Sequence, residues 1–203
     1  MLRKYLFAFY CLFSLSAAAD DNKTLLVLGD SLSAGYGIAI ERSWVFQLQH
    51  RLMRQGYRYK VVNASISGDT TRGARARLIP LLEEVRPLIT IVELGGNDGL
   101  RGLALEEMQT NLTVIIEHLL GVDSHILLIP MKLPPNYGDA YIRKFEMIYM
   151  QLADQYDIKM VPFILEGIAG DDRLMQDDGI HPAASAQKKM LNNLWPDLLP
   201  LLE

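Results

Sequence analysis

Ser31 lies in a turn-rich segment, residues 29–33 (GDSLS), where its hydroxyl could act as a nucleophile. A serine needs a general base with a pKa near neutrality, and histidine supplies one. His181 lies in the segment 177–182 (DDGIHP), three residues after Asp178. One tight loop could therefore bring a carboxylate to the imidazole and orient it. These residue types predict acyl transfer through a serine.

Each of these residues also has an ordinary structural interpretation. Ser31 can cap the helix that follows it, Asp178 can close a turn, and His181 can be a surface histidine. The remaining histidines lie on helical stretches or at the start of a strand: His50, His118 and His125. None of those three follows the end of a predicted strand, so we assign the base to His181.

Two further turns carry hydrogen-bond donors suited to a developing oxyanion. Gly68 offers a backbone N–H with no side chain to obstruct a substrate. Asn97, in the segment 95–99 (GGNDG), has a side-chain amide that donates without carrying charge. With the backbone N–H of Ser31 they make three donors. Glycine and asparagine are common in turns, so each signal is weak alone, but chance is a poor explanation for the complete set.

These turns separate apolar runs from amphipathic stretches. Strands are predicted at residues 24–28, 60–63, 88–93, 125–130 and 159–161, and helices at 43–55, 71–85, 105–120, 141–156 and from 183 to 194. Alternating strands and helices imply a parallel sheet covered on both faces, because parallel pairing requires crossover connections. In such sheets the ligand crevice lies beyond the carboxyl ends of the strands, where the four chemically interesting segments are expected.

The first 19 residues have the layout of a cleavable signal peptide. Arg3 and Lys4 precede an apolar run at 5–15, and the small residues 17–19 supply a cleavage site near Ala19. The alternative is a buried first helix or an interfacial anchor. We expect a periplasmic or secreted protein without stable membrane insertion, consisting of one hydrolase domain at residues 20–203.

Composition excludes several functions for the mature chain. Half of the 203 residues are hydrophobic, which fits one compact domain, and no repeat or linker marks a second. The only cysteine, Cys11, would be removed, so neither a disulfide nor a catalytic thiol is expected. Removing Arg3 and Lys4 leaves 18 basic against 24 acidic residues, which disfavours nucleic acid as a partner. The arginines at 72, 75 and 77 indicate a solvated helix face that could also meet an anionic headgroup. No metal or cofactor is predicted, and monomer is the default.

Four short blocks resemble the signature blocks of the SGNH (GDSL-type) hydrolases. These blocks are Gly29-Asp30-Ser31, Gly68, Gly95-x-Asn97-Asp98 and Asp178-x-x-His181. Longer segments extend the resemblance at 29–36, 96–102, 133–138 and 175–182, so that it covers essentially the whole mature chain.

The resemblance implies a three-layer α/β/α sandwich of the flavodoxin-like type, with a central five-stranded parallel sheet. It assigns Ser31 as nucleophile, His181 as general acid and base, and Asp178 as the residue that orients it. The oxyanion hole would comprise the Ser31 and Gly68 amides and the Asn97 side chain. Substrate contacts are expected from the segments around residues 100, 134 and 180: Gly99, Leu100, Arg101, Leu133, Pro134, Tyr137 and Ile180.

Three functions remain open. The favoured function is hydrolysis of lipid-like acyl esters and thioesters, including lysophospholipids, acyl-CoA-type thioesters and simple esters. The second is a carbohydrate O-acetyl esterase, and the third is a binding protein on a hydrolase fold. Apolar residues near the predicted crevice favour the lipid-like substrates: Leu100, Leu103, Ile129, Met131, Leu133 and Tyr137. The complete set of catalytic residue types argues against the binding protein.

Overall fold

The computed structural model describes residues 23–202. The strands are β1 (Lys23–Gly29), β2 (Tyr59–Asn63), β3 (Ile89–Glu93), β4 (His125–Ile129) and β5 (Lys159–Met160). The helices are α1 (Ser31–Ala34), α2 (Trp44–Arg54), α3 (Thr71–Ala76), α4 (Leu78–Val85), α5 (Gly96–Leu100), α6 (Leu105–Leu120), α7 (Asp139–Tyr156) and α8 (Gln187–Leu198). The predicted signal peptide lies outside the described residues. None of the helices within residues 23–202 is long and apolar enough to cross a membrane.

The five strands form one parallel sheet in the order β2-β1-β3-β4-β5. The chain moves outward in one direction from β1 to β2 and in the other from β3 to β5, so the strand order reverses at β1. Crevices for ligands form at such a reversal, outside the carboxyl ends of the strands. The register sets the ends of β1 and β3 level, since Gly29 pairs with Glu93, and β2 ends two residues earlier, where Asn63 pairs with Val27.

Helices cover both faces of the sheet and complete the three layers. Helices α2 and α8 pack against each other, while α3, α4 and α7 each contact α6. The central strands are apolar on both faces, as a doubly covered parallel sheet requires, and residues 25–28 of β1 are fully buried. The three-layer fold with a five-stranded parallel sheet is therefore confirmed.

The single helix predicted over 71–85 is wrong, because the chain forms two helices, α3 and α4, joined at Arg77. Pro80 lies in the first turn of α4 and has no N–H to donate to the carbonyl of Ala76, so a continuous helix would lose a hydrogen bond there. The Arg77 side chain turns back to Asp69, whose Oδ2 accepts from its Nε and Nη2 at 3.0 and 2.8 Å. Arg77 is thereby held at the break.

Other boundaries differ slightly from prediction. The last helix begins at Gln187 rather than at residue 183, because residues 183–186 first form a turn closed by the Ala186 N–H on the Ala183 carbonyl. Helix α7 begins at Asp139, two residues before the predicted start. The short helix α5 falls in a segment that the sequence indicates only as a turn, whereas α1 agrees with a helix start next to Ser31.

Gly95 joins β3 to α5 in a left-handed conformation, with φ of 103°. A Cβ at this position would collide with the hydroxyl of Tyr149, which donates a 2.8 Å hydrogen bond to the Leu94 carbonyl. We predict that Gly95→Ala lowers the free energy of unfolding by about 2–4 kcal/mol, combining backbone strain with overpacking. Urea denaturation measures it.

Gly56 provides the matched control, because its φ is 81° but a Cβ there would have no neighbour within 4 Å. Gly56→Ala should cost only the strain of the left-handed conformation, about 1–2 kcal/mol. Equal losses in the two variants would contradict the predicted clash with Tyr149.

Candidate active site

Ser31 begins helix α1 at the carboxyl end of β1. The turn forms because Asp30 caps the helix, its Oδ1 accepting from the Leu32 N–H at 3.1 Å. Helix α1 is only four residues long and ends at Gly35, whose φ of 76° would strain a larger residue. This abrupt strand–turn–helix connection presents the Ser31 hydroxyl at the edge of the sheet.

His181 and Asp178 come together with Ser31, although 150 residues separate Ser31 from His181. Ser31 Oγ lies 2.8 Å from His181 Nε2, and His181 Nδ1 lies 2.7 Å from Asp178 Oδ2. A neutral imidazole that donates its Nδ1–H to the carboxylate has Nε2 free to accept a proton. The arrangement suits removal of the Ser31 proton by His181.

The loop that carries Asp178 is stabilised by its own backbone. Asp178 Oδ1 accepts from the N–H groups of Ile180 and His181, each at 2.9 Å. These bonds and the imidazole, the His181 N–H foremost, lower the pKa of Asp178 to about 2. A depressed pKa means that this carboxylate stabilises the fold fully above its ordinary value of 3.8, and that the contribution is lost as the pH falls through about 2. At neutral pH Asp178 is ionised and able to orient the histidine.

Tyr36 packs against the imidazole of His181, a contact that the sequence did not indicate. Its ring centroid lies 4.5 Å from that of His181, with the planes tilted by 40°. Gln176, in the same loop as His181, donates from Nε2 to the Tyr36 carbonyl at 2.8 Å. Tyr36 therefore limits the rotation of the His181 imidazole.

The three expected oxyanion donors lie on turns at the ends of adjacent strands. Within residues 23–202, the backbone N–H groups of Ser31 and Gly68 make no hydrogen bond. Asn97 donates one amide hydrogen to Asp30 Oδ2 at 3.0 Å, which leaves the other for a ligand. Gly68 has φ of 79°, where a side chain would be strained. The turns thus offer three donors without a partner in the described chain.

Asp98 joins two of these turns, a role that the sequence did not indicate. Its buried carboxylate accepts from the Thr71 hydroxyl at 2.6 Å and from the Thr71 N–H at 2.9 Å. Thr71 begins α3, just after the Gly68 turn, and Asp98 lies next to Asn97. This pair fixes the distance between the second and third oxyanion donors.

A groove of about 600 Å³ opens beside Ser31 and His181. Four of the seven expected substrate contacts line it: Leu100, Leu133, Pro134 and Ile180. Pro135, in the expected segment around residue 134, also lines the groove, together with four apolar side chains that the sequence did not indicate: Leu32, Phe163, Leu165 and Met175. The titratable side chains in this lining are Asp30, His181 and Lys132. The Lys132 ammonium group lies 4.7 Å from the centre of the Phe163 ring.

The other three expected substrate contacts, Gly99, Arg101 and Tyr137, do not line the groove. The Tyr137 hydroxyl donates to the Leu100 carbonyl at 2.8 Å, and Arg101 Nη2 donates to the Gly68 carbonyl at 2.9 Å. A Cβ at Gly99 would lie 2.7 Å from both Leu133 and Phe145. These residues instead support the groove wall and the Gly68 turn.

The three arginines at positions 72, 75 and 77 contact neighbouring polar or acidic side chains. Arg77 pairs with Asp69 at 2.8 Å, Arg75 donates to Asn111 at 3.1 Å, and Arg72 lies 3.9 Å from Glu107. Across residues 23–202, no group of three or more His, Cys, Asp or Glu side chains is arranged to hold a metal ion.

The chain is similar in sequence to known proteins over most of its length. A model of the GDSL-like lipase/acylhydrolase family matches residues 27–189. The Pseudomonas aeruginosa protein named esterase TesA is 50% identical over 180 residues, which cover 89% of this chain and 90% of the relative. The Escherichia coli K12 protein named thioesterase 1/protease 1/lysophospholipase L1 is 41% identical over 196 residues, covering 97% and 92%.

A solved structure agrees with the fold. The psychrotrophic esterase EstA of a Pseudoalteromonas species, in a form inhibited by monoethylphosphonate, superposes with a TM-score of 0.85. It is 37% identical in sequence, and the match covers 89% of this chain and 99% of that one.

Asp178→Asn tests the orientation of the imidazole. Its amide oxygen can keep the bonds from the Ile180 and His181 N–H groups, while its NH₂ would face Nδ1 and favour the tautomer protonated at Nε2. We predict that kcat falls by about 10³–10⁴, the size of effect expected when a catalytic histidine is held in the wrong tautomer. Steady-state ester hydrolysis measures it. The neighbouring Asp177→Asn is the matched control and should retain wild-type kcat; similar losses in both variants would contradict the assignment.

Proposed function

The chain belongs to the GDSL-like lipase/acylhydrolase family and is a serine ester hydrolase, and from this premise we propose that Ser31, His181 and Asp178 carry its reaction. The proposal further assigns to the groove the acyl chain of lipid-like esters and thioesters. One observation carries both parts: the 2.8 Å contact of Ser31 Oγ with His181 Nε2 lies at an apolar groove.

In the acylation step, His181 Nε2 takes the hydroxyl proton as Ser31 Oγ attacks the acyl carbon. The carbonyl π bond opens, and its oxygen becomes an oxyanion that accepts hydrogen bonds from the Ser31 and Gly68 amides and from Asn97. The bond from the acyl carbon to the alcohol oxygen or thiol sulfur then breaks. The leaving group takes the proton from His181, and the acyl group stays on Ser31.

In the deacylation step, a water molecule gives a proton to His181 Nε2 and attacks the same carbon. A second oxyanion forms with the same three donors, and its collapse breaks the bond to Ser31 Oγ. The serine recovers its proton from His181, and a free acid leaves. Asp178 stabilises the imidazolium in both steps and is itself not protonated.

The apolar lining of the groove supports an acyl chain rather than a sugar as the group bound there. Ligand sites recognise the body of a ligand through apolar contact and orient it through a few polar groups. Here the polar groups beside the reacting serine are Asp30, Asn97 and His181. Apart from Lys132, whose ammonium group lies near Phe163, the rest of the lining is apolar or glycine. This distribution favours lipid-like esters, thioesters and lysophospholipids over the carbohydrate O-acetyl esterase, and two relatives carry the names esterase and thioesterase 1/lysophospholipase L1.

The proposal includes export of the protein and its action as a monomer on small-molecule substrates. Arg3, Lys4, the apolar run at 5–15 and the alanines near residue 19 support a cleavable signal peptide and a periplasmic or secreted location. Ser31, Asp178 and His181 come from one chain, so the reaction needs no second subunit, and we propose a monomer.

Ser31→Ala tests the nucleophile and, with a series of substrates, the acyl specificity. Mature wild type should hydrolyse p-nitrophenyl esters from acetyl to palmitoyl, with the highest kcat/KM for medium or long chains, because longer chains bury more apolar area in the groove. Ser31→Ala should lose at least about 10⁴ in kcat, since the residual rate comes only from binding and the oxyanion donors. Activity retained by Ser31→Ala would overturn the nucleophile, and an acetyl-only preference would overturn the lipid-like substrate.

Asn97→Ala tests the oxyanion hole. Removing one donor should lower kcat by about 10²–10³ while KM changes little, because the hydrogen bond strengthens in the transition state. Asn192→Ala serves as the control; that side chain accepts from Arg51 on the surface at 2.9 Å. Wild-type kcat in folded Asn97→Ala would contradict this role.

A further inference from the structure

We propose that Glu93 is a positioning residue which, as a neutral carboxylic acid, holds Asp30 and thereby aligns Ser31 and Asn97 for the reaction. The inference rests on the proposed roles of Ser31 and Asn97. Glu93 touches none of the reacting atoms in the proposed mechanism.

Glu93 is a fully buried carboxyl group behind the nucleophile turn. It ends β3 opposite Gly29, and its exposed fraction is 0%. Its Oε2 accepts from the Asp30 N–H at 3.3 Å and from the Ser33 hydroxyl at 2.7 Å. Two groups that flank Ser31 in sequence are therefore tied to one oxygen of the neighbouring strand.

Gly29 makes this close approach possible. A Cβ on Gly29 would lie 2.8 Å from Glu93 Oε2 and 2.8 Å from Ser33 Oγ, so a larger residue would displace both partners. The glycine of the GDS block thus has a steric role in this chain: it leaves room for the carboxyl group behind the turn.

The second oxygen of Glu93 indicates where a proton resides. Within residues 23–202, Glu93 Oε1 is buried and receives no hydrogen bond from a donor. Asp30 is a second buried carboxyl group beside Glu93, and burial disfavours two adjacent negative charges, so one of the two groups carries a proton. Complete burial, and then the charge of Asp30, raise the pKa of Glu93 well above its ordinary value. We assign the proton to Glu93, and Oε1 is the oxygen free to hold it.

Asp30 retains the negative charge, and its carboxylate accepts hydrogen bonds from groups next to Ser31 and from Asn97. Burial raises the pKa of Asp30, but hydrogen bonds from the Leu32 N–H and the Asn97 amide, together with nearby His181, favour its ionised form. Its Oδ1 accepts from Leu32 at 3.1 Å and its Oδ2 from Asn97 at 3.0 Å. One carboxylate therefore orients both the start of α1 and the side-chain oxyanion donor.

A neutral Glu93 suits the reaction better than an ionised one. Negative charge develops on the substrate oxygen near Asn97, and a second carboxylate beside Asp30 would add repulsion in a buried, weakly screened region. A neutral acid still accepts from the Asp30 N–H and from the Ser33 hydroxyl. It fixes the turn without adding charge.

Two substitutions at position 93 separate these contributions. Glu93→Gln keeps the length, an acceptor oxygen and a donor, and cannot ionise, so we expect kcat within about 3-fold of wild type. Glu93→Met keeps the length but removes donor and acceptor, so we expect kcat to fall by about 10–100-fold with KM changed less than about 3-fold.

Thr90→Val is the matched control, because it removes a different buried polar group from the same strand. The Thr90 hydroxyl is fully buried and lies 2.9 Å from the Ser124 hydroxyl, with no contact to Asp30. This variant should lower the melting temperature and leave kcat unchanged. If Glu93→Met acts only through stability, it should behave in the same way.

The experiment measures kcat, KM and the melting temperature of all three variants on one p-nitrophenyl ester, with Ser31→Ala in parallel. Near-normal kcat in Glu93→Gln, with a loss in Glu93→Met that is absent in Thr90→Val, supports the proposal. Unchanged kcat in Glu93→Met overturns the proposal, and so does a loss of about 100-fold in the kcat of Glu93→Gln. Should Glu93→Met not fold, the Gln variant decides alone. Activity in Ser31→Ala would instead overturn the proposed nucleophile, so the two failures are distinguishable.

Discussion

Strand β1 is hydrogen-bonded to β2 on one side and to β3 on the other, and the proposed active site depends on this pairing. The turns that follow these three strands carry Ser31, Gly68 and Asn97. Their side chains and amides meet because the carboxyl ends of these parallel strands lie at the same edge of the sheet. A slip of β3 by one residue would move Glu93 away from Gly29 and turn its side chain to the other face of the sheet.

The histidine is positioned by a different principle. The loop 175–182 is stabilised by short-range hydrogen bonds, including the Gln176 N–H on the His181 carbonyl at 2.7 Å. Asp178 shapes the loop through its Oδ1 and orients the imidazole through its Oδ2. Tyr36, which follows α1, packs against the imidazole ring. A locally rigid loop is thereby docked against a turn that the sheet positions, and the 2.8 Å contact between Ser31 and His181 is where the two meet.

The sequence is most informative where function depends on short spacings. The apolar runs predicted the five strands, and the three-residue spacing of Asp178 and His181 anticipated their contact. The break at Arg77 was also visible in principle, because Pro80 disfavours a continuous helix. Glu93 offered a weaker signal, a carboxyl at the end of the otherwise uncharged strand ITIVE. Its partners, Asp30 and Ser33, could not be inferred without the strand order.

The groove was less predictable for a related reason. Phe163 and Leu165 lie in an irregular segment without a period that indicates which face they present, and only the folded chain brings them beside Ser31. Tyr137 and Arg101 seemed suited to a ligand, yet they hydrogen-bond to backbone carbonyls of residues 100 and 68. Polar side chains near a site thus divide into those that face the ligand and those that fix the loops. Sequence spacing does not distinguish the two.

The most direct measurement of the central claim is to locate the covalent intermediate. Mature protein is treated with an ethyl phosphonate ester that carries a p-nitrophenol leaving group and resembles the tetrahedral transition state. Mass spectrometry of the intact chain and its peptides then finds the adduct. The account predicts one phosphonyl group per chain, on the peptide containing Ser31, with loss of esterase activity in proportion, and none in Ser31→Ala. Full inactivation with the adduct on another residue, or equal labelling of Ser31→Ala, would contradict it.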